Sequence, residues 1–233
     1  MAYFDFLDKI DSNQIKTIFE LGSCNLIDAI KLLNHFQSSK IYSFECNNDC
    51  LIECYKNLNN LEEEKKKRLV LIDKAVSINN GDVIFYPFDL KKYNNMGASS
   101  MLLIDFSLRD IKDRDYNLKN PQTKIIVDGV RLDTFIDENH IDNIDLLCID
   151  LQGYELNAIK SLGNYLHKVK YIITECSIVS TYTNGATFKE LNEYLSNYNF
   201  KYVSSNKFGE NFPDLSLKYF SEFDSLFINN TAL

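Results

Sequence analysis

Three acids pose the chemical question in this chain. Asp150 and Glu175 each close an apolar run, and Glu155 follows Asp150 by about one helical turn. Leu146, Leu147, Cys148 and Ile149 form a continuous apolar stretch that suits a parallel strand covered on both faces. Asp150 arrives where that strand should end, and Gly153 lets the chain turn. Leu156, Ile159, Leu162 and Leu166 then recur at helical spacing. Glu175 ends a second run, Lys170 to Thr174. Ligands of open α/β sheets bind outside the carboxyl ends of the strands, so these carboxylates mark a functional rim. A carboxylate there can take a proton from a weak nucleophile, and three together could hold Mg²⁺. The alternative for Asp150 is a plain helix cap. His140 and His167 precede strands, whose amino ends face away from such a rim, and are set aside as bases.

The elements that must position these acids begin near residue 17. Thr17 to Leu21 is a brief β-rich run ending in Gly22-Ser23, and Asn25 with Asp28 reads as a helix start. Ile41 to Phe44 is a second strand ending on Glu45. A helix from Asn48 to Leu61 and a third strand, Leu69 to Ile72, follow, then Asp73-Lys74-Ala75-Val76. The first 75 residues thus read β-α-β-α-β, half of a doubly wound sheet. About 25 residues separate Glu20 from Glu45, near the interval at which an acid after the second strand meets a ribose. Gly22 stands alone rather than in a GxGxxG run, which disfavours a dinucleotide pyrophosphate. A ligand with a ribose and no phosphates fits better, and S-adenosylmethionine is such a ligand.

Farther on, Asp82 to Tyr86 reads as a strand paired with Met101 to Ile104. Between them, Asn94 to Ser100 is a small polar loop, either a plain hairpin turn or a cover over the cofactor or acceptor. Residues 107 to 124 read as an exposed connection, Ile125 to Leu132 as a strand, and Asp133 to Asn139 as a short helix. Phe188 to Tyr198 is an amphipathic helix, and Phe200 to Val203 and Ser225 to Ile228 are the last strands. Residues 1 to 16 read as an arm or short helix without chemistry. No repeat or low-complexity linker interrupts the chain, so residues 1–233 are expected to form one domain.

Composition narrows the partners. The formal charge of −8 argues against a nucleic-acid surface. No apolar stretch approaches the roughly 20 residues that span a bilayer. The start, MAYFDFLDKIDSN, carries acids and lacks the basic beginning of a signal peptide, so a soluble, cytoplasmic protein is expected. Cys46, Cys50 and Cys54 fall four apart on one helical stripe, without paired CxxC knuckles. They and Cys24, Cys148 and Cys176 read as reduced core thiols.

Taken together, these segments resemble the FkbM family of S-adenosylmethionine-dependent methyltransferases. The carrying residues are FELGS at Phe19 to Ser23, YSFECN at Tyr42 to Asn47 and DKAVS at Asp73 to Ser77. MGASS at Met96 to Ser100, VRLDTF at Val130 to Phe135 and DLLCIDLQGYELNAIKSLG at Asp145 to Gly163 continue the match, which runs to about residue 204. The resemblance implies a class I methyltransferase fold: a Rossmann-like α/β sandwich whose seven-stranded, mostly parallel sheet carries helices on both faces. It also implies methyl transfer to an oxygen, usually a hydroxyl of a sugar or a polyketide-type product. Many members place a second glycine after the first strand, where this chain has Cys24-Asn25-Leu26.

On this reading Glu45 accepts both ribose hydroxyls of the cofactor, since an ionised carboxylate only accepts. Glu20, Gly22 and Ser23 line its methionine portion, Asp73, Lys74 and Ala75 edge the adenine, and Ser99 and Ser100 lie in the covering loop. Asp150 is the first candidate base for a sugar or glycan hydroxyl, with Glu175 and Glu155 as the others. Two other classes compete: a non-catalytic module that kept the fold, against which the intact acids speak, and a nucleotide-sugar oxidoreductase, disfavoured by the lone Gly22.

Overall fold

The computed structural model describes residues 3–108, 120–217 and 222–231. Strand β1 (Thr17–Leu21) leads into helix α1 (Ile27–His35), and β2 (Lys40–Glu45) into α2 (Asn48–Asn59). A short α3 (Glu63–Lys66) precedes β3 (Leu69–Asp73). Then come β4 (Ala75–Val76), β5 (Gly81–Phe85), β6 (Ile125–Val130) and α4 (Leu132–Glu138). The chain continues through β7 (Ile144–Ile149), α5 (Glu155–Lys160), β8 (Val169–Ser177) and α6 (Phe188–Ser196). It closes with β9 (Phe200–Ser205) and β10 (Glu222–Asn229).

Seven strands form the main sheet in the order β3-β2-β1-β7-β8-β10-β9. Strands β1, β2, β3, β7 and β8 run parallel, and β10 is antiparallel to both its neighbours. The winding reverses between β1 and β7, which opens a crevice at their carboxyl ends. Period-two alternation sorts the core. Phe19 and Leu21 of β1, with Leu147 and Ile149 of β7, face α4, α5 and α6. Ile18, Leu146 and Cys148 face α1, α2 and an N-terminal 3-10 turn, Tyr3–Lys9. On the first face Phe135 of α4 stands edge-on to Phe19, Tyr42 and Phe44 at 5.0–5.9 Å, each pair adding about 0.5–1.5 kcal/mol beyond burial.

Several expectations need correction. Strand β5 pairs with β6, not with Met101 to Ile104, in a separate sheet of order β4-β6-β5. Residues 101–104 are held instead by the Gln122 carboxamide, which accepts from Ile104 N and reaches the Tyr86 and Leu102 carbonyls. Gln122 and Pro121 are buried, so this end of the expected exposed connection belongs to the interior; residues 109–119 lie outside the described residues. Helix α1 starts from Leu26 in a left-handed conformation, and Asn25 braces the turn by accepting from Ile27 N. Cys46 precedes α2 rather than riding on it. Strand β8 runs past Glu175 to Ser177, because β10 pairs with it that far.

Candidate active site

A cavity of about 300 Å³ opens at the carboxyl ends of β1, β2 and β7. Its wall includes Glu20, Gly22, Ser23, Glu45, Lys74, Ala75, Ser99, Ser100 and Asp150. The parallel register explains why residues so far apart in sequence meet: Leu21 pairs with Phe44 on one side and Ile149 on the other. The next residue along each strand therefore reaches the same edge. Asp73 ends β3 and is exposed off the wall, while Glu155 and Glu175 face a separate small crevice with Ser177, Thr181 and Glu222.

Glu45 is buried and gripped by backbone. Its Oε1 accepts from Cys46 N and Asn47 N and its Oε2 from Cys24 N, all at 2.8 Å. Burial raises its proton affinity, against the pull of those three donors. One acceptor position remains on Oε2, so the geometry leaves room for one hydroxyl where two were expected. Glu20 is buried beside it and accepts from the Ser43 hydroxyl. Burial pushes its carboxyl up to about 7. Lys74 turns its ammonium to Asp128 at 2.5 Å, so any contact it makes at the cavity is through the rest of the residue. The Ser99 hydroxyl accepts from Asn47 Nδ2 at 3.1 Å and Phe88 N at 3.2 Å, which leaves its own hydrogen to donate. Ser100 donates instead to the Gln152 carbonyl at 2.8 Å, tying the covering loop to the turn after β7.

Asp150 follows β7 directly, partly exposed at the cavity wall, and burial among neighbouring acids pushes its carboxyl up to about 6. Glu155 does structural work: its Oε1 accepts from Leu151 N and Gly153 N at 3.0 Å, closing the turn that carries Asp150. Burial pushes it up to about 7. Burial and the adjacent Asp150 hold Glu175 well above the usual carboxylate range. Among the described residues no group of three His, Cys, Asp or Glu side chains is arranged to hold a metal ion. The structure gives no support to a Mg²⁺ cluster of the three acids: Glu155 is spent on backbone N–H groups, and Glu175 lines the other crevice. All six cysteines are free thiols.

Residues missed at the sequence level complete the wall. Tyr3, from the segment expected to lack chemistry, is buried and lines the cavity; nothing in its local sequence signals this. Asn47 caps α2 and braces Ser99, and its cap-type position just after a strand-end acid was a legible signal. Gln152 joins Asp150 to Glu175, donating to both.

This strand order, with a cavity where the winding reverses, defines the protein as a class I methyltransferase fold. Residues 25–202 match the Methyltransferase FkbM domain. The chain belongs to the FkbM methyltransferase family. It is 25% identical over 183 residues to the 2-O-methyltransferase NoeI of Sinorhizobium fredii, covering 78% of this chain and 71% of NoeI. In fold it is similar to the FkbM methyltransferase of Methylobacillus flagellatus KT, with a TM-score of 0.55, 12% identity and 92% of this chain covered. This chain spans 43% of that protein's length. A comparable likeness holds to the StiE O-MT segment of residues 961–1257, with a TM-score of 0.53, 10% identity, and 97% of this chain and 71% of that one covered. No helix among the described residues is long and apolar enough to cross a membrane.

Proposed function

We propose that this protein is an S-adenosylmethionine-dependent O-methyltransferase that methylates a hydroxyl of a sugar, glycan or glycosylated small molecule. The observation that carries the reading is one shared wall: the candidate base Asp150 faces the same cavity as Glu20, Gly22 and Glu45. The residues present suit the cofactor. Glu45 Oε2 would take a ribose hydroxyl, Gly22 and Ser23 would lie along the methionine portion, and Ala75 would edge the adenine. When bound, the cofactor supplies an electrophilic methyl carbon and takes the C–S electron pair onto sulfur. The protein's own work is to hold the acceptor hydroxyl in line and to accept its proton at the Asp150 carboxylate as the O–C bond forms. Family membership supports methyl transfer, and the name of the relative NoeI favours a hydroxyl acceptor. A carboxylate whose proton affinity is raised to about 6 is suited to a base working near neutrality.

The test is transfer of labelled methyl from S-adenosylmethionine to a panel of glycosides by wild type and Asp150→Asn. Asn is nearly isosteric but takes no proton, so turnover should fall by roughly 10²–10⁴ while cofactor affinity barely changes. Wild-type turnover should rise with pH through about 6 as Asp150 ionises. A fully active Asp150→Asn variant would remove Asp150 as the base.

A further inference from the structure

Asp150 does not stand alone at the cavity wall. Gln152, left-handed at φ 53° in the turn after β7, donates from Nε2 to Asp150 Oδ1 at 2.7 Å and to Glu175 Oε2 at 2.9 Å. One amide group therefore grips both acids. At its other end, Gln152 Oε1 accepts from the Tyr182 hydroxyl at 2.8 Å. The same hydroxyl lies 2.7 Å from the Ala98 carbonyl, within the Met96–Ala98 turn that borders the cavity. Tyr182 is buried against Gly153, so closely that a Cβ on Gly153 would fall 2.8 Å from its Cβ. The amide has one chemically sensible orientation, with its NH₂ toward two acceptors and its oxygen toward a hydroxyl.

We propose that Gln152 is a positioning residue that holds Asp150 and Glu175 as one proton-sharing pair, with Tyr182 fixing Gln152. The inference rests on the reading of Asp150 as base and extends it. The carboxyls facing the pair are Glu155 from α5, Glu222 and Asp224 from β10, and Glu45 from β2. The other titratable groups that face it are the Tyr3 hydroxyl and the Cys24 thiol at Asp150 and the Cys176 thiol at Glu175. Two half-buried carboxyls gripped by one amide, among like charges, retain one proton between them. The pair titrates as a unit: burial and Asp150 raise Glu175, and the Gln152 donor opposes the rise at Asp150. In turnover the acceptor O–H proton passes to Asp150, the O–C bond forms and the C–S pair leaves on sulfur. The pair then carries two protons until one returns to solvent, and Glu175 lines a second crevice that shares no lining residue with the cavity.

Carboxyl ¹³C NMR titration of ligand-free protein, labelled at Asp and Glu and assigned with Asp150→Asn and Glu175→Gln, reads the pair without turnover. Wild type should show two linked steps at Asp150 and Glu175. In Gln152→Leu, loss of the donors should move the lower midpoint up by about one pH unit. Tyr182→Phe, which keeps the ring on Gly153, should move it the same way by less. In the active enzyme, Gln152→Leu should lower kcat at least about tenfold, leave KM for the methyl donor within about twofold, and shift the acid limb of the kcat profile upward. Independent titration of the two acids, or midpoints unmoved in both variants, overturns the proposal whatever the turnover does. Linked titration that moves with Gln152, alongside full activity of Asp150→Asn, upholds the pair and sinks only the base reading.

Discussion

Gly22 lies against the backbone of Asp150: a Cβ built on Gly22 would sit 1.9 Å from the Asp150 carbonyl oxygen. The turn after β1 and the end of β7 are in backbone contact there, which brings the proposed cofactor turn and the candidate base to one wall. Gly22 also has φ 85°, where an L side chain is strained. Gly22→Ala should therefore cost at least about 1–2 kcal/mol of stability from the backbone alone, plus whatever shift separates the two strands' ends. Urea unfolding measures the first, and binding of S-adenosylhomocysteine reports the second. An alanine variant as stable as wild type would contradict this close approach.

Glu45 serves two masters, the backbone donors of Cys24, Cys46 and Asn47 and the proposed ribose. Glu45→Ala should weaken binding of S-adenosylhomocysteine by about 1.5–3 kcal/mol, the scale of a charged hydrogen bond. It should also lower the melting temperature by leaving three donors without an acceptor. Glu45→Gln keeps an acceptor oxygen and should recover more of the stability than of the affinity. Calorimetry with unchanged affinity in both variants would take Glu45 out of the site.

Glu20 gives the ligand-free protein a pH dependence of readable sign. Burial raises its carboxyl from the usual 4.5 to about 7, so the folded state binds an extra proton between those values. Its contribution is full below about pH 4.5 and is lost as pH rises toward 7. Glu155 acts in the same direction. Glu20→Gln, neutral throughout, should be more stable than wild type at pH 8 by about 1–3 kcal/mol, and the gap should narrow toward pH 5. Parallel stability curves for the two proteins would refute the assignment.

Among the thiols, Cys24 is half-buried at the cavity wall and the other five are buried. A hydrogen bond from the Cys50 thiol lowers the Cys24 value and favours its reactive thiolate. Cys24 should be modified first by a thiol reagent in the native protein, more slowly with S-adenosylhomocysteine bound. Denaturant should release six reactive thiols. Preferential labelling of Cys148 or Cys176 in native protein would contradict the described burial.

Local pattern alone carried the β-α-β-α-β opening and placed Glu20, Gly22, Glu45 and Asp150 at the ends of strands. Apolar runs and helical stripes are set by neighbours in sequence, and a parallel sheet then brings every strand's carboxyl end to one edge. The pairing of β5 with β6 across some forty residues was not legible, because strand partnership depends on which edge the chain can reach. The three acids of the opening motif show the same divide. Their types and spacing were plain in the sequence, but side-chain direction is decided by what packs around each one. Glu155 bends back to the backbone N–H groups of its own turn, whereas Asp150 meets Glu175 through Gln152. Tyr3 reaches the cavity only because the N-terminal turn packs on the sheet face opposite α4, a contact between residues far apart in the chain.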